Sequence, residues 1–205
     1  MNYLEFKNAL KKFTLFSLAD VHKVEATTHR RRLYEWQKKG YIKKIVKGYY
    51  IFSDQTMTEN TLFEIANRIY PPSYISFETA LSYHNLIPES VFAITSASSR
   101  RTYRFKTQLG NFIYRTLKPE LFVGYDLVQS SGKCFKIACL EKALLDYLYL
   151  NPSIKTQADF ASLRINKQVL LKKLKEKKLH TLLRLFSQKS LTKRVKSFLK
   201  GLRND

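Results

Sequence analysis

The sequence predicts an α+β chain in two units: helices and a short β-ribbon first, then strands, then basic helices. Three observations predict it. Apolar residues recur at helical spacing through the first forty residues, and strand-like runs occupy much of the stretch from "SYIS" at 73 to "FKIA" at 135–138. Lys47-Gly48 and Pro71-Pro72 then supply the turn and the break that separate these patterns.

In chain order, residues 3–11 read as a helix with Leu4, Phe6 and Leu10 among its apolar positions. Ser17 caps a second helix, "SLADVHKV", and Thr27 is the expected N-cap of a third that runs to Gly40. "YIKKIV" and "YYIFS" flank Lys47-Gly48, which reads as strand, two-residue turn, strand. "TENTLFEIANRIY" is a helix over 58–70 that Pro71-Pro72 stops. The chain therefore divides into 1–56, a connecting helix over 57–71, and a second unit over 72–205. In that unit "SYIS" is a strand and "FETALSYHN" a short helix. "VFAITSA", "TYRFKT", "NFIYRTL", "GYDLV" and "FKIA" are strands, and "LEKALLDYLYL" is an apolar helix ended by Asn151-Pro152. From about Gln157 the chain is helical and increasingly basic. With strands and helices of its own, 72–205 is expected to fold without the first unit.

Hydrophobic residues make up 44% of the 205, which marks a globular chain. The net charge is +21, which speaks to partners rather than fold: nucleic acid first, an acidic protein second, an anionic membrane third. The charge is uneven. Residues 1–56 carry +7, residues 57–163 only +2, and residues 164–205 carry +12 from 14 Lys/Arg against 2 Asp/Glu. No apolar run approaches the roughly 18 residues of a membrane span, and "MNYLEFKNALKK" lacks the apolar run of a secretory leader. Cys134 and Cys139 have no neighbouring His to complete a ligand set, so they read as reduced, buried thiols of a cytoplasmic protein. No metal or cofactor is expected.

The stretch "TTHRRRLYEW" concentrates the question. Wound at about 100° per residue, Leu33, Trp36 and Ala26 fall on one side with His29, and Gly40 closes it. Arg31 lies nearly opposite, alongside Thr28, Glu35 and Lys38; Arg32 flanks it within reach of the same ligand, while Thr27 and Arg30 turn toward the other edge, where the Arg30 stem is expected to cover the core. Helix, helix, turn, helix and β-hairpin is the order of a winged helix-turn-helix, whose third helix enters the major groove of DNA. In that reading Arg30, Arg31 and Arg32 approach bases or phosphates, and Thr27 and Thr28 contact phosphate or a thymine methyl. Lys43, Lys44 and Lys47 hold flanking phosphates from the ribbon. A run of three arginines alone is more often a solvated helix face. Here element order, caps, turn and charge all agree, which favours DNA.

Enzymatic motifs are weak by comparison. Six scattered glycines build no phosphate-cradling loop. Glu5-Phe6-Lys7 has an E-x-K spacing without a partnering aspartate, and His22, His84 and His180 are isolated. Glu141 and Asp146, five apart on one helix, do not converge, so an ion-pairing role is expected for that segment. The tail "LLKKLKEKKLHTLLRLFSQKSLTKRVKSFLK" alternates apolar and basic residues at helical spacing. It reads as helices packed on the second unit with a cationic outer face for toxin, RNA or DNA, although such helices also suit anionic lipid.

The series "RRLYEWQKKGYIKKIVKGYYIFS", "PPSYISFETALSYHNLI", "ITSASSRRTYRF", "FIYRTLKPELFVGYDL" and "CLEKALLDYLY" resembles the AbiEi-type antitoxins of bacterial abortive-infection toxin–antitoxin systems. The resemblance covers roughly residues 15–150 and rests on the joint order of these pieces. It implies a repressor that binds its own promoter through the first unit and a second unit that neutralises a nucleotidyltransferase-like toxin; separately, a dimer on DNA is expected. Two other readings of the residues stay open: a nucleic-acid-processing enzyme or RNA-binding protein, and a ligand-sensing repressor unrelated to a toxin.

Overall fold

The computed structural model describes residues 2–88, 92–130 and 132–204. The first unit opens with α1 (Tyr3–Leu10), where Asn2 accepts from the Glu5 N–H at 3.0 Å and the Glu5 carboxylate returns the bond to Asn2. β1 (Phe16–Ser17) leads into α2 (Leu18–His22), which Ser17 and Asp20 cap in the same reciprocal way. α3 (Arg30–Lys38), β2 (Ile42–Val46) and β3 (Tyr49–Phe52) complete it. Gly48 stands at φ 85° in the turn between the last two, a conformation that suits glycine. The three strands form an antiparallel sheet in the order β1-β3-β2.

One face of this sheet, with Phe16, Ile42 and Phe52, packs on the helices through Phe6, Leu10, Val21, Leu33 and Trp36. The other face is partly covered by the second unit. Ile45 and Ile51, with Leu15, belong to the core of the second unit. Polar contacts lock the same seam: Lys133 Nζ donates to Thr14 Oγ1 at 2.7 Å, and Thr14 Oγ1 donates to Glu64 at 2.5 Å. Arg68 lies 3.6 Å from Asp20 and 5.6 Å from the Phe13 ring centre.

α4 (Glu59–Ile69), which Thr58 caps, is more than a connector. It buries Phe63, Ile65, Ala66 and Ile69 against a six-stranded mixed sheet. The strands are β4 (Ser73–Ile75), β5 (Ala93–Ser98), β6 (Tyr103–Thr107), β7 (Gly110–Thr116), β8 (Tyr125–Ser130) and β9 (Lys133–Ala138), in the order β6-β7-β5-β4-β9-β8. Val91, the expected start of the first of the longer strands, lies outside the described residues. The rings of Phe63 and Phe135 meet edge to face at 5.3 Å, and Tyr114 donates its hydroxyl to the Ala66 carbonyl at 2.7 Å.

α5 (Phe77–Tyr83) packs on α6 (Leu140–Leu150), which is buried on nearly every side. The basic end of the chain folds into α7 (Gln157–Ser162), α8 (Lys167–Lys173), α9 (Glu176–Leu185) and α10 (Lys189–Asn204). Their apolar residues, among them Leu170, Leu179, Leu183, Leu191, Val195 and Phe198, join the second core. The chain is thus a mixed α+β protein with ten α-helices and two sheets among its described residues. No described helix is long and apolar enough to cross a membrane.

Because α4 fills one face of the large sheet, the second folding unit begins near residue 57 rather than 72. A fragment starting at 57 is expected to unfold cooperatively in urea, followed by circular dichroism. One starting at 72 is expected to give a broad, low-slope transition. A cooperative transition for the shorter fragment would show that α4 is dispensable.

Candidate nucleic-acid interface

Helix α3 is held by two anchors. Leu33 and Trp36 are 1% and 6% exposed, and the Trp36 ring lies 4.3 Å from that of Phe6. Those anchors turn the opposite face outward. Arg31 is 88% exposed at its side chain, and its Nε lies 3.2 Å from Glu35 one turn on. Arg30, Tyr34 and Lys38 are exposed as well, Tyr34 by 67%. Arg32, rather than Arg30 as expected, lies over the core edge: it stands one turn before Trp36 on the helix, and its guanidinium sits 5.6 Å from that ring centre.

The N-terminal end of this helix departs from expectation. It starts at Arg30, so His29 is the N-cap residue, without a side-chain cap bond, and Thr27 stands outside the helix. His29 and Ala26 are exposed rather than turned to the core. Thr28 is 4% exposed and therefore offers little to a ligand. Its hydroxyl donates to the Glu25 carboxylate, its N–H donates to the Glu25 carbonyl at 3.1 Å, and its own carbonyl accepts from His22 Nε2 at 2.9 Å. These local bonds hold the α2–α3 turn and delay the helix, as short hydroxyl side chains do when the backbone offers them partners. His22, isolated in sequence, is thereby a turn residue.

The ribbon lysines divide. Register pairs Ile42 with Phe52, Lys43 with Ile51 and Lys44 with Tyr50. By the two-residue alternation of a strand, Lys44 shares the helix-side face with Ile42, and Lys43 shares the opposite face with Ile51. All three of Lys43, Lys44 and Lys47 are exposed, and Lys47 stands in the turn itself. The structure therefore gathers Arg30, Arg31, Tyr34 and Lys38 on α3, with Lys44 and Lys47 on the helix side of the ribbon or at its tip. Lys43 faces elsewhere, and Thr28 is withdrawn. Tyr34 was legible in principle: it falls one turn after Arg30 and beside Lys38 on the helical wheel.

The titratable cluster in the second unit is closed to solvent. Lys142 pairs with Asp146, and the two side chains are 1% and 0% exposed. Tyr74 and Ser76 each donate a hydroxyl to Asp146 at 2.8 Å, and Lys142 donates to Tyr74 at 2.8 Å. Burial holds the Asp146 carboxyl above the usual carboxylate range and the Lys142 amine below the usual lysine range. Each group in this cluster is bonded to another, and the cluster is enclosed by the fold. Glu141 faces away, accepting the Lys175 N–H at 2.9 Å. Cys139 is buried, whereas Cys134 is exposed, against expectation.

Lys142→Met leaves the Asp146 charge buried without its partner, and a loss of about 3–5 kcal/mol is expected. Lys142→Met with Asp146→Leu should recover most of it. Urea denaturation of both variants checks this; a single variant as stable as the parent would show that the fold does not need the pair.

Comparison of the sequence with protein-family models and with curated proteins gives no match.

Proposed function

We propose that the chain is a sequence-specific, double-stranded DNA-binding repressor of its own promoter, and the antitoxin of a bacterial toxin–antitoxin pair. The observation that carries the DNA reading is the outward face of α3. Two arginines, a tyrosine and a lysine stand opposite a Leu33–Trp36 anchor, beside a ribbon with Lys44 and Lys47. The first unit is read as a winged helix-turn-helix: α3 lies in the major groove and the β2–β3 ribbon is the wing. Arg31 binds a guanine edge as a fork, and Glu35, which steadies its Nε, is placed to accept from a cytosine amine. Arg30, Lys38, Lys44 and Lys47 take phosphates.

The antitoxin part rests on the resemblance of "RRLYEWQKKGYIKKIVKGYYIFS" and the segments that follow it to AbiEi-type antitoxins. In this reading the protein is not an enzyme. It acts in the cytoplasm, binds its operator as a dimer and neutralises a nucleotidyltransferase-like toxin.

Two measurements test the DNA reading. Arg31→Ala is expected to weaken binding to the chain's own promoter by about 1–3 kcal/mol more than binding to random duplex. Equal losses on both duplexes, titrated at one salt concentration, would reduce Arg31 to a phosphate contact. Lys44→Ala with Lys47→Ala should lower the slope of log affinity against log salt by about 0.9 for each phosphate that the variant no longer neutralises. Lys43→Ala should leave that slope nearly unchanged. A slope that ignores Lys44 and Lys47 would take the ribbon out of the interface. For the antitoxin reading, co-expression with the toxin candidate encoded beside it must show protection by the full chain; growth arrest despite folded protein would reject it.

A further inference from the structure

The most basic part of the chain leaves a groove of about 720 Å³ between α7 and α10. Ala158, Ala161, Ile165 and Gly201 form its apolar lining, over Phe160 and Phe198, whose rings meet at 5.2 Å beneath. Gln157 sets the spacing of the two helices: its amide donates to the Ser197 carbonyl at 3.0 Å, in space that a Cβ on Gly201 would invade. The groove is therefore built by its own side chains.

Its border is cationic. Arg164, Lys167 and Lys200 line the opening. Lys200 also ends a row with Lys189, Lys193 and Lys196, all exposed and spaced by four, three and four residues. That spacing puts them on one face of α10 over about 16 Å, at 1.5 Å per residue. The opposite face is buried through Leu191, Val195, Phe198 and Leu202. The stretch 189–204 holds no acidic residue, and Asp159, the one carboxylate of α7, accepts the N–H groups of Lys155 and Thr156 at 2.8 Å.

Three kinds of anionic partner could meet such lysines, and the groove separates them. A single-stranded nucleic acid uses aromatic faces for its bases, but Phe160 and Phe198 are 5% and 2% exposed and lie under the floor. An anionic bilayer takes up long apolar side chains that project; here the lining is mostly small, Ala158, Ala161 and Gly201, and offers little to insert. A protein helix with one apolar and one acidic face satisfies both features, seating small apolar groups on the floor and carboxylates on the lysine row. We propose that the α7–α10 groove binds an acidic amphipathic helix of a partner protein. The site stands apart from the DNA reading, because it uses α7 and α10 and nothing of α3 or the ribbon.

The test is fluorescence anisotropy with the full chain and a labelled helical peptide of about 18 residues, long enough to hold a helix. The probe carries Leu at i, i+3, i+4 and i+7 and Glu elsewhere. The peptide is expected to bind at least about tenfold more tightly than a scrambled peptide of the same composition, a difference of about 1.4 kcal/mol. Lys193→Glu with Lys196→Glu and Lys200→Glu should abolish binding. Ala161→Trp, which fills the floor from an exposed position without adding charge, should weaken it similarly, with circular dichroism showing that both variants are folded. Equal binding of the scrambled peptide would mean attraction by charge alone and would overturn the proposal. So would an unaffected Ala161→Trp variant, or an oligouridylate that binds more tightly than the peptide and displaces it.

Discussion

A buried ion pair and its shell of hydroxyls tie α6 to the central strand of the second unit. Lys142 and Asp146 face each other one helical turn apart on α6, and the hydroxyls of Tyr74 and Ser76 complete the carboxylate's shell from β4 and its end. Burying two charges is expensive unless each donor and acceptor is satisfied. Here satisfaction requires α6 and the central strand β4 to adopt one relative position. The same network reaches the start of α5. Ser76 binds Asp146 through its hydroxyl and accepts from Thr95 Oγ1 through its carbonyl at 2.8 Å, while Thr95 Oγ1 also accepts the Thr79 N–H at 3.1 Å. Between these fixed points Phe77 takes φ 57°, a strained value for an aromatic residue that persists because its neighbours are over-determined.

From that pair, α6 organises the basic helices at both of its ends. Near its first turn Glu141, 3% exposed, accepts the Lys175 N–H at the start of α9. Past its last turn, Arg194 of α10 donates to the carbonyls of Leu148 at 2.7 Å and Asn151 at 3.1 Å. The Leu148 carbonyl is one that a helix end leaves without a partner, the Asn151 carbonyl also accepts the Ile154 N–H at 3.2 Å, and a guanidinium suits such dispersed acceptors better than an ammonium would. One basic residue of the tail is thus turned inward to dock α10, and the docking is what turns the lysine row of that helix outward. The charge of the tail follows from the packing of its apolar face.

Much of this architecture was legible because its signals are local. Ser17 announces α2, Thr58 announces α4 and Lys47-Gly48 announces the ribbon through hydrogen bonds and dihedrals made within a few residues. The outward direction of Arg31 was legible too, since Leu33 and Trp36 fix the phase of the helix. What misled was competition that periodicity does not register. Thr28 has the composition of a cap, yet Glu25 and His22 take its hydroxyl, N–H and carbonyl for the preceding turn. Lys43 and Lys44 look like one patch, and strand alternation sends them to opposite faces. The role of α4 was hidden for a third reason. Its amphipathic pattern states that one face is buried but not whether the partner is the unit before it or the sheet after it.

The seam between the two units determines what the rest can do together. A ribbon that only closed a small helical core would leave its outer face polar; this one places Ile45 and Ile51 in the second core, with Leu15 beside them. Thr14, Glu64 and Lys133 then form a hydrogen-bonded chain across the same seam, and Arg68 reaches Asp20 and Phe13. Apolar burial supplies attraction without direction, whereas these bonds fix orientation. α3 shares one core with a sheet whose other face contributes Ile45 and Ile51 to the second core, so the ribbon stands between the two.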